Sequence, residues 1–344
     1  MFDIATTPLT GCFSQQVSAL TTIGAEAMAR LRSLPADRAA HDAAMGALAA
    51  FRQVEMGGQV ARPAPPGPLT IAAWNLERCA WPEPSAALLA AQGVSLALLS
   101  EVDNGLHRTH QRHTTAEMAA MLGHAHGYAV EFLELAIMPP LVACPDNPPD
   151  HLRGFHGNGF TTALPCRDPF VIRFPDESDW YLDAKPGQRR IGNRMAVAAT
   201  FTHEGQDFVG CAVHLESRAD FAGRARQMAF LLDAIEARRS GLPVVVGGDL
   251  NTAVEAVGGL DDPRETLFAG AEARGYDWRA CNLAAPTTRP SGWSGGCGTR
   301  QLDWFCTRGF EAGAARIVPS VAPDGTVLSD HDMILVTLTF PPSA

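Results

Sequence analysis

The sequence predicts an α/β fold, and three observations predict it. From Leu69 onward, strand-like and helix-like runs alternate along the chain. The stretch Leu-Pro-Val-Val-Val-Gly-Gly-Asp-Leu-Asn (242–251) places three β-branched residues in a row, as in a strand buried on both faces. Pro243 marks its start, and the paired glycines suit a sharp turn at its end, with Asp249 and Asn251 projecting from the edge where open α/β sheets place ligands. Finally, 344 residues could hold two average domains or one large α/β domain with an appendage, and 46% hydrophobic with 19% charged side chains supply ample core.

The first 60 or so residues are alanine-rich and read as two helices between Val17 and Phe51, broken at Pro35. Arg62 to Pro68 is a proline-rich linker. The expected organisation is therefore a helical N-terminal extension (1–62), a linker (63–68) and a main domain (69–344). Leu69–Trp74 reads as a buried strand, Ser85–Gln92 as a helix stopped by Gly93, and Ser95–Ser100 as a second buried strand. Thr114–Leu122 reads as a helix capped by Thr114 or Thr115 and ended by Gly123. Tyr128–Ile137 is strand-like, and the proline-rich stretch 139–156 is a long surface loop. Strands follow at Asn158–Leu164, Pro169–Phe174, Arg194–Thr202 and Asp207–His214, the last two joined by a turn at His203. Phe221–Arg239 is the clearest helix: Asp220 caps it, Ala225, Met228, Ala229, Leu232 and Ile235 form its apolar stripe, and two arginines close it. Arg264–Arg274 reads as a helix, 287–300 as a Gly/Ser/Thr-rich loop, and Leu302–Cys306 and Met333–Phe340 as the last strands.

A net charge of −10 argues against a broad basic face for long nucleic acid, though not against a local basic cluster. The eight cysteines are scattered without a Cys-x-x-Cys pair, so a zinc–thiolate site is not expected and a reduced, cytoplasmic setting is. No transmembrane run and no secretory signal is expected.

Chemistry-bearing residues recur at the ends of apolar strands: Asn75, Glu101, His214, Asp249, Asn251, Asp303, Asp330 and His331. Any one of them is adequately explained as a turn former or strand cap. Eight acids, amides and imidazoles at such positions suggest one cleft, whose oxygen-rich donors prefer a hard cation such as Mg²⁺ or Mn²⁺ and whose imidazoles suit a phosphate.

Trp-Asn-Leu-Glu (74–77), Leu-Ser-Glu (99–101), His-Leu-Glu-Ser (214–217), Gly-Gly-Asp-Leu-Asn (247–251), Leu-Asp-Trp (302–304) and Ser-Asp-His (329–331) occur in that order. In this the chain, over residues 69–340, resembles the endonuclease/exonuclease/phosphatase superfamily. The resemblance implies a four-layer α/β/β/α sandwich of two packed mixed β-sheets with outer helices. It also implies metal-dependent hydrolysis of a phosphoester by in-line attack of water. Glu101 would be the principal metal ligand, with Asn75 beside it and Asp330 close by. Asp249 would orient or deprotonate the water, and Asn251 would fix the same oxygen. His331 would contact the scissile phosphate with Asp303 on its other ring nitrogen, and His214 would be a second phosphate-contacting histidine.

Three further features are less determined. Asn158 partly matches the family's Gly-Asn motif, whose asparagine contacts the phosphate, but the usual Leu-Ser-basic continuation is replaced by Thr161-Thr162-Ala163. Arg189 and Arg190 could reach a phosphate or an anionic headgroup, or be a solvated pair at a strand start. His107, His110, Arg112 and His113 could form a substrate-reading loop, but their spacing does not indicate metal binding. The leading function is a phosphodiesterase whose substrate is a short nucleic acid, a phospholipid headgroup or a soluble phosphodiester, with no clear protein partner. The alternatives are a non-catalytic phosphate- or lipid-binding protein that keeps the fold, and a phosphomonoesterase of the same superfamily.

Overall fold

The computed structural model describes residues 9–175, 179–182, 189–252, 259–294 and 299–342. The N-terminal segment forms β1 (Gly11–Phe13), β2 (Gln15–Val17), α1 (Ala25–Arg32), α2 (Arg38–Ala47) and β3 (Gln53–Gly58). Next come β4 (Leu69–Arg78), α3 (Pro82–Ala91), β5 (Leu96–Asn104), α4 (Thr114–Leu122), β6 (Ala125–Glu134), β7 (Phe155–Thr162) and β8 (Cys166–Arg173). The chain continues through β9 (Arg190–Gly192), β10 (Met195–His203), β11 (Gln206–His214), α5 (Phe221–Arg239) and β12 (Val244–Asp249). It ends with α6 (Leu267–Glu272), β13 (Asp303–Arg308), β14 (Glu311–Val318) and β15 (Met333–Thr339).

Two mixed sheets result. One runs β1-β8-β10-β11-β12-β13; the other runs β14-β15-β4-β5-β7-β6-β3-β2, with β9 beside β6. Alternation along the strands builds the layers. On β12, Val245 faces the core between the sheets, while Val244 and Val246 face the helix side. On β4, Leu69, Ile71 and Ala73 face inward, while Ala72 and Trp74 face the other helical layer. Met228, Leu231, Leu232 and Ile235 of α5 cover one sheet; Leu89 of α3 and Met118 and Leu122 of α4 cover the other. This is the expected four-layer α/β/β/α sandwich.

Each sheet contains a parallel strand pair on which the site depends: β4 with β5, and β11 with β12. The paired glycines of β12 permit close approaches rather than turn the chain, because both lie inside the strand: Gly247 towards the facing sheet and Gly248 towards the adjacent strand β11. A Cβ on Gly247 would sit 2.6 Å from the Phe305 ring and 2.9 Å from Ala73 of the facing sheet. One on Gly248, at φ +152°, would sit 2.0 Å from the Val213 carbonyl oxygen of β11.

The helices expected between Val17 and Phe51 are present, but strands flank them. β1 pairs with β8 in one sheet and β3 pairs with β6 in the other, so the segment joins both layers. Arg173 of β8 ties this join: it donates to the Phe51 carbonyl at 2.9 Å and to those of Val130 and Asn193, and its guanidinium lies over the Phe51 ring. The cap of α4 also differs from expectation. His113 accepts from the Ala116 N–H at 3.4 Å, while Thr114 donates its hydroxyl to the Asp103 carbonyl. Among the described residues seven cysteines are free, with Cys211 and Cys306 in the core; Cys297 lies outside those residues. No helix among the described residues is long and apolar enough to cross a membrane.

Candidate active site

The C-terminal ends of the two parallel pairs open at one place. β4 delivers Asn75, Glu77 and Arg78; β5 delivers Glu101; β11 ends at His214 and β12 at Asp249. The start of β13 adds Asp303, and the loop before β15 adds Asp330 and His331. Two irregularities aim these groups. The β4–β5 register shifts between Asn75 and Arg78, and the β5–β7 register shifts between Leu99 and Val102. Glu101, in the second shift, takes φ +51°, a conformation that L-residues rarely hold without compensation.

The amide nitrogen of Asn75 joins the sheets, donating to Glu101 at 3.2 Å and to Asp249 at 3.0 Å, while its oxygen accepts the Glu77 N–H. Asn75 therefore orients the two carboxylates here, and a role as ligand requires its amide to turn. Asp249 also accepts the Asn251 N–H at 2.8 Å, and the Asn251 amide is anchored on the Leu215 carbonyl. His331 donates from Nδ1 to Asp303 at 2.7 Å, and Thr287 donates its hydroxyl to the same carboxylate oxygen. The other ring nitrogen of His331 lies 3.7 Å from Asp249 and 3.9 Å from Asp330. His214 Nε2 stands 3.6 Å from Asp249 and 3.9 Å from Glu101. Of the sequence-predicted residues, Asn75, Glu101, His214, Asp249, Asn251, Asp303, Asp330 and His331 thus belong to one constellation.

Asn158 does not line the cleft. Fully buried on β7, it donates to the Met195 carbonyl at 3.0 Å and so links the two sheets. The neighbouring arginines part company. Arg189 donates to the carbonyls of Arg32, Leu34 and Pro35 at the end of α1, whereas Arg190 lines the cleft. The His107–His113 cluster faces elsewhere: His107 and His110 bond to carbonyls of the 139–156 loop, and Arg112 pairs with Glu83 and Glu117.

Several cleft residues were not singled out from the sequence. Glu77 stands within the Trp-Asn-Leu-Glu motif but is aimed by backbone at φ +43°, which the sequence does not reveal. Its carboxylate accepts the Asp330 N–H and the Ser291 hydroxyl. His156, on β7, lies 4.0 Å from Glu101 and bonds to Asp103. Arg78, Arg108, Arg190 and Arg194 bring positive charge to the walls of a cleft of about 210 Å³, and Trp180 contributes an aromatic wall. Of this basic lining only Arg190, in the Arg189-Arg190 pair at a strand start, was singled out from the sequence.

The charge balance sorts the groups. Burial raises the Glu101 carboxyl, but His214, His156, Arg78 and Arg194 outweigh it and hold the group well below its ordinary value. Burial pushes Asp249 up, with Asp303 adding and His331 and His214 opposing. Burial would depress His331, yet Asp303, Asp249 and Asp330 hold it well above the ordinary histidine value, which favours its protonated form. Glu77 is pushed up to about 7 by burial and by Asp330, and Asp330 is itself raised by burial and by Glu101. Asp330 and Glu101 both raise Glu77, and Glu101 raises Asp330, a repulsion that a divalent cation bound among them would relieve.

A further, fully buried acid, Glu131, supports the wall. Burial raises it, but His214 and Arg194, 3.4 and 3.3 Å away, hold it down at about 2. A carboxylate depressed in the folded state stabilises above its unfolded value near 4.3, and that stabilisation is lost as pH falls towards 2. Urea midpoints measured between about pH 5 and 2.5 should therefore fall more steeply for the wild type than for Glu131→Gln. Parallel curves would show that Glu131 does not contribute.

No family model matches the sequence, and no curated protein matches it. Solved structures do resemble it. An endonuclease/exonuclease/phosphatase protein of Beutenbergia cavernae is 21% identical at a TM-score of 0.55, covering 79% of this chain and 72% of its own. The human Nocturnin catalytic domain, solved with bound sulfate, is 17% identical at 0.54, covering 84% of this chain and 97% of its own. A mannosyl-6-phosphatase of Bacteroides thetaiotaomicron is 15% identical at 0.52, covering 79% of this chain and all of its own. At such identities the likeness establishes architecture: this chain has the fold of the endonuclease/exonuclease/phosphatase superfamily.

Proposed function

We propose that the chain is a divalent-metal-dependent phosphoester hydrolase, most readily a phosphodiesterase, acting on a small anionic substrate. One observation carries the reading: Glu101, Asp249 and the His331–Asp303 pair, from strands far apart in sequence, meet in one arginine-walled cleft. The neighbours include a phosphatase by name, in keeping with phosphoester chemistry.

Glu101 and Asp330 would hold the cation, with Glu77 beside them and Asn75 keeping Glu101 and Asp249 in register. When bound, Mg²⁺ or Mn²⁺ would neutralise charge on the phosphoryl oxygens and so lower the barrier to attack. Asp249 would orient and deprotonate the attacking water, its raised pKa making it a better base than an exposed aspartate. Asn251 fixes the carboxylate through its backbone N–H. His331, protonated and steered by Asp303, would donate its Nε2–H to a phosphoryl oxygen as charge builds there, with His214 as a second donor. A cleft of about 210 Å³ lies below the range typical of drug-sized ligand sites and favours a headgroup or mononucleotide-sized phosphoester over a duplex.

The direct test is hydrolysis of bis-p-nitrophenyl phosphate with Mg²⁺ or Mn²⁺, beside p-nitrophenyl phosphate. The wild type should turn over the diester faster than the monoester. Glu101→Ala and His331→Ala should each lose roughly 10²-fold or more. Equal rates in all three proteins would leave only a fold without turnover.

A further inference from the structure

We propose that Glu55, His113 and His126 form a second metal site, separate from the catalytic cleft, that takes Zn²⁺ and clamps the N-terminal segment to the larger sheet. The three residues come from β3, the cap of α4 and β6. One carboxylate oxygen of Glu55 lies 2.7 Å from His113 Nε2 and 3.8 Å from His126 Nε2, and the two rings meet edge to face at 5.5 Å between centroids. These three donor atoms lie within 4.8 Å of one another, close enough to share one ion. The other Glu55 oxygen is already committed: it accepts the Leu20 N–H at 2.9 Å and faces Arg153 at 3.8 Å. It holds the carboxylate with its first oxygen towards the histidines.

His126 is the second, independent observation. It is only 6% exposed, and neither ring nitrogen has a hydrogen-bond partner. An imidazole buried without hydrogen-bond partners costs free energy that a metal bond would recover. Its position is also fixed by the fold, because the ring rests on Gly57, where a Cβ would come within 2.6 Å of its Cε1. The backbone of β3 thus leaves room for this one ring and aims it at Glu55.

The donor set decides the ion. Two imidazoles and one carboxylate form a set known to hold zinc with a fourth position open to water, whereas Mg²⁺ and Ca²⁺ prefer oxygen throughout. The two sites would therefore sort metals by ligand softness, the cleft taking the hard cation. His113, at 18% side-chain exposure, gives the ion a route in. Metal on its Nε2 places the ring proton on Nδ1, so the 3.4 Å contact from Ala116 is given up for the metal bond.

The full chain, stripped with chelator and dialysed against Zn²⁺ then metal-free buffer, would be assayed for retained zinc by mass spectrometry. In parallel, Co²⁺ would be added and the visible absorbance of a low-coordinate cobalt site recorded. Wild type and Glu101→Ala should each retain one equivalent at this site, gain Tm on adding Zn²⁺ and show the cobalt band. Glu55→Gln and His126→Gln, both conservative in size, should weaken binding at least about tenfold and lose the band. Absence of retained zinc in the wild type, or equal retention in Glu55→Gln and His126→Gln, would overturn the proposal. Loss of zinc in Glu101→Ala alone would also overturn it, by assigning the ion to the cleft. None of these readouts depends on phosphoesterase activity, so failure here leaves the catalytic reading standing.

Discussion

Asp249→Asn should lower kcat/KM for a phosphodiester by about 10³-fold, in the range that loss of a positioned general base costs. KM should change little, because Asp249 acts on the water and not on the substrate's remote parts. The variant should also fold normally. Asparagine keeps the shape of the side chain and can still accept from the Asn251 N–H, the contact that fixes the strand end at 2.8 Å. Burial and the neighbouring Asp303 already disfavour the Asp249 charge, so removing it should leave the Tm of the metal-free protein unchanged or slightly higher. Full activity with unchanged stability would remove Asp249 from the mechanism. A large fall in Tm would show that its role is structural.

Arg173→Met should destabilise the protein by about 3 kcal/mol, one of the largest single-residue effects on stability expected here. The guanidinium is fully buried, and burial, with Arg52 adding, pushes its pKa down to about 9 against partial compensation by Glu131. Its donors serve the carbonyls of Phe51, Val130 and Asn193, which belong to the N-terminal segment, β6 and the turn before β10. Methionine fills much of the space but leaves those three acceptors unpaired, each a desolvated carbonyl. The Tm should fall by several degrees. Limited proteolysis should cut within residues 18–60 before the rest of the chain, because this join is what Arg173 holds. An unchanged Tm and unchanged cleavage order would show that β1 and β3 dock without it.

The sequence alone determined most of the sandwich. Ten of the fifteen strands among the described residues were legible, because long apolar runs such as Leu69–Trp74, Asp207–His214 and Val244–Val246 leave little choice but a buried strand. The helix Phe221–Arg239 was legible to the residue, since the Asp220 carboxylate accepts the Gly223 N–H of the first turn and the apolar stripe keeps a helical period. The eight residues that meet at the candidate site were singled out through their positions at strand ends and the order of their motifs. The five strands not foreseen are three-residue edges (β1, β2, β9), the short β3 and the largely exposed β14, where hydrophobic periodicity carries no signal.

Tertiary structure decided the rest, because it turns on distance across the sheets and not on local pattern. Asn158 looks like a phosphate contact in sequence and is instead a link between sheets, since β7 aims its amide at the Met195 carbonyl. The glycine pair of β12 looks like a turn and instead lies inside the strand, where Gly247 lets the facing sheet approach and Gly248 lets the neighbouring strand do so, since their atoms occupy the space a Cβ would need. The arginine walls of the cleft, and the meeting of Glu55 with His113 and His126, unite residues tens of positions apart. Only long-range pairing of strands brings such residues together, and no window of the chain records it.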